Sequence, residues 1–188
     1  MTSEIEALFA RYEQAQWLGA FAYRERLQLP FDSSTLSAEG PILFDTTVYV
    51  DNLAGHLPPQ IAALIASRVV YHATPSLAEF AFPVGYLNPT DPRTQGSVRA
   101  ILRVIGRILP ERILAPVPEH WLEASLIAGT LARTQTIPKP DRRKFMNDIL
   151  IYLVAGDLGA TVLTRNTRDF DLLLQIRPGV GVLFYDRA

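Results

Sequence analysis

Residues 147–170 read NDILIYLVAGDLGATVLTRNTRDF, and the order of residue types in this stretch decides the fold class. From Ile149 to Ala155 every side chain is apolar or aromatic, so a helix over 148–158 is predicted to be buried on most of its sides. Gly159 stands where a helix commonly ends in the left-handed conformation. Ala160 to Thr164 then reads as a short buried strand, and Gly181 to Tyr185 as a last one.

Working back toward the N-terminus, the same alternation continues. Ile42 to Phe44 reads as an apolar strand ending at Asp45, followed by helices at 46–54 and 58–68, the second opened by Pro58 and Pro59. Val69 to Ala73 is β-branched and strand-like, and Pro75 opens a helix that carries Glu79. Residues 97–109 have a helical apolar face of Val98, Ile101, Leu102, Ile105 and Leu109, Ile113 to Val117 reads as a third strand, and 118–134 as a helix. Strands separated by helical crossovers imply a mostly parallel sheet covered on both faces, a three-layer α/β/α domain over 41–188. The first 40 residues read as an appendage: a helix over 3–27 with a capping box from Ser3 and Glu6, then a Pro-, Ser- and Gly-rich linker over 30–41.

Composition sets bounds on function. The 188 residues are 48% hydrophobic and 20% charged, enough apolar material for a substantial core. The chain has no cysteine, which excludes disulfides, thiolate catalysis and zinc held by sulfur, and suits a cytoplasmic location. No apolar run approaches the roughly 20 residues that span a bilayer, and the N-terminus lacks the layout of a secretion signal. With a net charge of −1, any affinity for nucleic acid must come from a local basic patch or a bound metal.

In a parallel sheet, ligands bind at the carboxyl ends of the strands. Four acids fall at such positions: Asp45 ends the first strand, Glu79 lies in the helix after the second, Asp148 opens the apolar helix, and Asp169 follows the fourth strand. Carboxylates gathered without a counter-charge repel and raise one another's pKa. A divalent cation resolves that conflict, and Mg²⁺ accepts a few carboxylates with water in the remaining positions. Taken singly, each acid also has an ordinary structural role: Asp45 and Asp148 as helix caps, Glu79 as a solvated residue, Asp169 as a turn. Asp51, Asp141, Asp157, Asp171 and Asp186 read as surface residues, with Asp171 held in reserve because it neighbours Asp169.

Three stretches together resemble the PIN-domain ribonucleases, in particular the VapC toxins. ILFDTTVYVD resembles the first motif of that family, TPSLAEF the second, and the 147–170 stretch the third, where an Asp opens an apolar helix and a later strand runs into Thr-x-Asn-x-x-Asp-Phe. The resemblance spans about 41–186. It implies that Asp45, Glu79, Asp148 and Asp169 are catalytic and bind Mg²⁺ or Mn²⁺, with Thr46, Thr164 and Asn166 supporting them. It also implies cleavage of single-stranded RNA, a homodimer, and an antitoxin partner that blocks the cleft. Two features depart from the pattern: Tyr152 replaces a usually small residue, and residues 1–40 have no counterpart in the minimal family.

Arg99, Arg103 and Arg107 recur at helical spacing opposite the apolar face of their helix, which suits either a solvated surface or a phosphate track. Arg165 and Arg168 flank the last motif, and Lys139, Arg142, Arg143 and Lys144 precede Asp148, all within possible reach of an RNA backbone. His56, His72 and His120 have no metal-site spacing, and His72, inside a strand, reads as structural. Two other classes compete with the nuclease: a catalytically silent PIN-like binding or regulatory module, and a parallel-sheet phosphatase or nucleotide-binding domain. The presence of all four acids opposes the first, and the lack of a Gly-rich phosphate loop opposes the second.

Overall fold

The computed structural model describes residues 2–31, 40–135 and 142–188, leaving out the side chains at 2–4, 15 and 142–144. The Ser3 cap, most of the 30–41 linker, Lys139, Asp141 and the side chains of Arg142, Arg143 and Lys144 therefore lie outside the described residues.

Five short strands form one sheet: β1 (Ile42–Phe44), β2 (Val70–Ala73), β3 (Ile113–Leu114), β4 (Thr161–Thr164) and β5 (Gly181–Phe184). Their order is β3-β2-β1-β4-β5, and every pairing is parallel. Alternation along each strand sends side chains to two separate cores. Leu43, Val162, Val182 and Phe184 face one layer, while Ile42, Phe44, Leu163 and Leu183 face the other. The three-layer α/β/α architecture expected from the sequence is what forms. Because β1 continues to β2 on one side and pairs with β4 on the other, the direction of winding switches between β1 and β4. Such a switch point leaves a crevice at the carboxyl ends of the strands.

The helices are α1 (Thr2–Arg11), α2 (Thr46–Ala54), α3 (Pro59–Ala66), α4 (Thr74–Tyr86), α5 (Thr94–Ile105), α6 (Pro118–Thr134), α7 (Arg142–Leu158) and α8 (Thr167–Ile176). The first core takes α6, α7 and α8, and the second takes α2, α3, α4 and α5. Helix α7 is the apolar one, with Ile149 through Ala155 all buried, and Gly159 ends it at φ 63°. The bulky Tyr152 is accommodated under α8: its ring lies 6.4 Å from Phe170 and its hydroxyl donates to the Arg177 carbonyl at 2.7 Å.

Four expectations need correction. Helix α7 starts at Arg142 rather than Asp148, so Asp148 sits inside the helix and is not its cap. Strand β3 is two residues long, since Pro116 cannot donate to a ladder and closes off the predicted run to Val117. Helix α5 ends at Ile105 and not at Leu109, with Gly106 as its cap. The N-terminal helix stops at Arg11 instead of continuing to Leu27. Beyond Arg11 the apolar residues lose helical spacing, and Trp17, Phe21, Leu29 and Phe31 pack against the first core.

This N-terminal segment is tied to the domain by polar contacts as well. The Tyr12 hydroxyl donates to Glu123 at 2.8 Å, Arg11 pairs with the same carboxylate at 3.0 Å, and Arg24 pairs with Asp171 at 2.5 Å. The Pro30 carbonyl accepts from Phe184 N at 2.8 Å, so the segment covers part of the β5 edge.

Candidate active site

Asp45 immediately follows β1, and the strand fixes its backbone by a bond from Asp45 N to the Leu163 carbonyl at 3.1 Å. Its side chain caps α2, accepting from Thr46 N at 2.6 Å and Thr47 N at 3.4 Å. The hydroxyls of Thr47 and Thr164 both donate to its Oδ2 at 2.7 Å. Ser76 anchors the start of α4 to β1 by donating to the Phe44 carbonyl at 2.8 Å, which brings Glu79 over the same edge. Glu79 accepts from Thr46 Oγ1 at 2.6 Å and from Asn147 Nδ2 at 2.8 Å. Asn166, the cap of α8, is a bridge: its Nδ2 donates to Asp148 at 3.1 Å and to Asp169 at 2.9 Å.

All four acids therefore belong to one hydrogen-bonded assembly at the β1–β4 switch point. Asp45, Thr46, Thr47, Val50, Glu79, Asp148, Arg165, Asn166, Thr167 and Arg168 line a cleft of about 360 Å³. Asp169 is joined to it through Asn166, whose Nδ2 also donates to Asp148. Burial pushes the Asp148 carboxyl well above its ordinary value, and the charges of Asp45, Asp169 and Glu79 push it further. Asp45 is also raised by burial, although the hydroxyls and amides around it work in the opposite direction. Among the described residues, no three His, Asp or Glu side chains are gathered closely enough to hold a metal ion as they stand. The donor set nonetheless suits a hard divalent cation: it consists of carboxylate oxygens, and the charges pressing on Asp148 are negative.

Arg165 and Arg168 stand on the rim of the cleft. Arg99, Arg103 and Arg107 are exposed on or just after α5 and line no part of it. Asp157 and Asp186 are at the surface as expected, paired with His120 and Arg26. His72 is structural, with its Nδ1 2.6 Å from the Tyr49 hydroxyl. Asp51 and Asp171 are not surface residues, contrary to the sequence reading: both are buried and paired with arginines, Asp51 with Arg165 and Arg187 and Asp171 with Arg24. Sequence reasoning also missed Thr47 and Asn147. Their adjacency to Asp45 and Asp148 was the available signal, but only the fold aims Asn147 at Glu79.

No family model and no curated protein matches the chain by sequence. Solved structures do match. A chain of FitAcB from Neisseria gonorrhoeae aligns with TM-score 0.54 and 24% identity, over 76% of this chain and 96% of that one. VapBC-1 from nontypeable Haemophilus influenzae gives TM-score 0.54 and 20% identity, over 77% and 97%. VapBC2 from Rickettsia felis, solved with a DNA fragment from its promoter, gives 0.53 and 17%, over 78% and 99%.

The fold is PIN-like. At these identities the likeness concerns the fold alone. The PIN-like unit accounts for nearly the whole of each matched chain, and the rest of this chain is additional to it.

Proposed function

We propose that this protein is a metal-dependent endoribonuclease, the toxin of a toxin–antitoxin pair, with residues 41–188 as the catalytic unit. The observation that carries the reading is Asp148, buried at the switch-point cleft among three other acids, where an external cation would relieve their repulsion. Asp45, Glu79, Asp148 and Asp169 would hold Mg²⁺ or Mn²⁺. Bound there, the ion would lower the pKa of a water and offset charge developing on the phosphate. Thr47 and Thr164 orient Asp45, Thr46 and Asn147 orient Glu79, and Asn166 orients Asp148 and Asp169. Arg165 and Arg168, which line the cleft, would receive the RNA backbone. The α5 arginines belong to the reading only as a more distant phosphate track.

An antitoxin partner and a homodimer are part of the same proposal. The matched structures are VapBC and FitAB complexes, some bound to DNA. An apolar groove of about 300 Å³ adjoins the cleft here, lined by Val50, Leu53, Ala54, Glu79, Phe80, Pro83 and Ile101. No described helix is long and apolar enough to cross a membrane, which is compatible with a cytoplasmic site of action. The test is incubation of a total RNA pool with the purified protein, with and without Mg²⁺. Discrete Mg²⁺-dependent fragments are expected. RNA left intact under both conditions would favour the catalytically silent module instead.

A further inference from the structure

Asp51 has no part in the four-acid assembly, yet among the described residues it is the most completely buried acid, at 0% exposure. It lies on α2, the helix that begins at Asp45, and accepts from Arg165 Nε at 2.9 Å, Arg187 Nε at 2.7 Å and the Tyr185 hydroxyl at 3.0 Å. Burial alone would raise its carboxyl, but these partners outweigh it and hold it below the ordinary range. One carboxylate thus faces two guanidinium groups, and the cluster keeps a net positive charge. Arg165 is also held by its backbone, whose N donates to Thr47 Oγ1 at 3.1 Å, and Thr47 Oγ1 in turn donates to Asp45.

The side chain of Arg165 is 36% exposed and lines the same cleft as Asp45, Glu79 and Asp148. A long flexible cation beside uncompensated carboxylates is drawn onto them unless something nearer holds it. The contact to Asp51 uses Nε, and the two amino groups of the guanidinium are further donors on a residue that lines the cleft.

We infer that Asp51 is a positioning residue: it tethers Arg165 at the cleft mouth, off the four carboxylates, where the guanidinium receives an RNA phosphate. Arg187 binds the other oxygen of Asp51 and keeps that carboxylate ionised. Two jobs follow from the one tether. The acids stay open to a cation, and the anion-binding edge of Arg165 stays directed at substrate. This rests on the metal-dependent reading above, and it adds a residue that touches neither metal nor substrate.

The experiment compares wild type, Asp51→Asn, Arg165→Gln and the double variant. Mn²⁺ affinity is read by the loss of the free-ion electron paramagnetic resonance signal, and kcat and KM are measured on a labelled single-stranded RNA. With the tether cut, Arg165 should fall onto the carboxylates, and Asp51→Asn should bind Mn²⁺ roughly tenfold more weakly. Removing the arginine as well should restore Mn²⁺ affinity to within about threefold of wild type, while KM stays high. Arg165→Gln alone should raise KM more than it lowers kcat. Equal Mn²⁺ affinity in wild type and Asp51→Asn overturns the tether and leaves the nuclease reading standing. A double variant that stays as weak as Asp51→Asn also overturns it, because loss of the buried acid has then merely distorted the site. Wild type that binds no Mn²⁺ overturns both readings together. If Asp51→Asn does not fold, Arg165→Gln decides: unchanged Mn²⁺ affinity supports the tether, and clearly tighter binding means that Arg165 already sits on the carboxylates and the tether is wrong.

Discussion

Helix α2 begins on one buried acid and carries another, and the two are treated in opposite ways. Asp45, 2% exposed, has hydroxyls and backbone amides for partners, and its carboxyl is raised by burial. Asp51, 0% exposed, has two arginines and a tyrosine, and its carboxyl is lowered. The remaining buried acids follow the same division. Glu123 is paired with Arg11 and Arg177, and Asp171 with Arg24, whereas Asp148 is bridged to Asp169 by Asn166. Among the described side chains, arginines thus pair with the acids that hold the layers together, whereas the donors bonded to the cleft acids are neutral hydroxyls and amides. Neutral donors fix a carboxylate's orientation without cancelling its charge, which is the condition a cation from solution requires.

The largest effect that sharpens this division is Asp148→Asn. It should reduce RNA cleavage by about a thousandfold or more, since it removes a charge from the proposed ion site. In the absence of metal the same variant should be more stable than wild type, by about 1–2 kcal/mol, because it relieves repulsion among buried acids. Thermal unfolding with and without Mg²⁺ checks both halves: Mg²⁺ should raise the wild-type midpoint and leave the variant nearly unchanged. A variant that is less stable without metal would place Asp148 among the structural acids and erase the distinction.

On the paired side, Asp51→Ala leaves Arg165, Arg187 and Tyr185 without their shared acceptor. Stability should fall by about 2–3 kcal/mol, less than for a wholly buried pair because both arginines are partly exposed. For a domain of this size that is a midpoint lower by roughly 5–10 °C. Denaturation in urea would read it directly. A loss under about 0.5 kcal/mol would make Asp51 an ordinary surface-type acid despite its burial.

The two sides also have opposite pH dependence. Asp148 has a folded pKa raised well above the ordinary 3.8, so its contribution is fully present below the unfolded value and is lost as pH rises through the folded one. Asp148→Asn should thus gain on wild type as pH rises above about 4. Asp51 has a lowered folded pKa, so its contribution is present above the unfolded value and disappears as pH falls through the folded one. Asp51→Asn should lose most against wild type above about pH 4 and converge with it in stronger acid. Unfolding free energies of both variants across this window should give difference curves of opposite slope. Parallel curves would mean that the acids share one environment.

The cleft was legible in the sequence because strand ends are local. An apolar triplet running into Asp45, and a buried strand running into Thr164 and Asn166, place those residues at the sheet edge without knowledge of the rest. The paired acids were not legible. Asp51 sits between Val50 and Asn52 and reads as surface, while its partners Arg165 and Arg187 lie 114 and 136 residues away. Asp171 meets Arg24 across 147 residues. Asp148 was misplaced at a helix start for a related reason: the polar residues before Ile149 resemble a cap locally, and only packing extends α7 back to Arg142.

The smallest expected effect concerns the N-terminal segment, whose apolar residues are too many for a free tail and must pack on this domain or on a second subunit. It packs on its own domain, and Tyr12 is its most buried anchor. Tyr12→Phe keeps the ring in the core and removes one hydrogen bond to Glu123, which retains Arg11 and Arg177. The loss should be about 1 kcal/mol, or roughly 2–4 °C in midpoint. RNA cleavage should be unchanged, because no described residue before Asp45 lines the cleft. The segment does reach the rim, however, where Arg168 donates to the Tyr23 hydroxyl at 3.2 Å. If loosening the anchor at Tyr12 raises cleavage severalfold, the segment restrains the rim through Tyr23, and the boundary between structural scaffold and cleft drawn above runs in the wrong place.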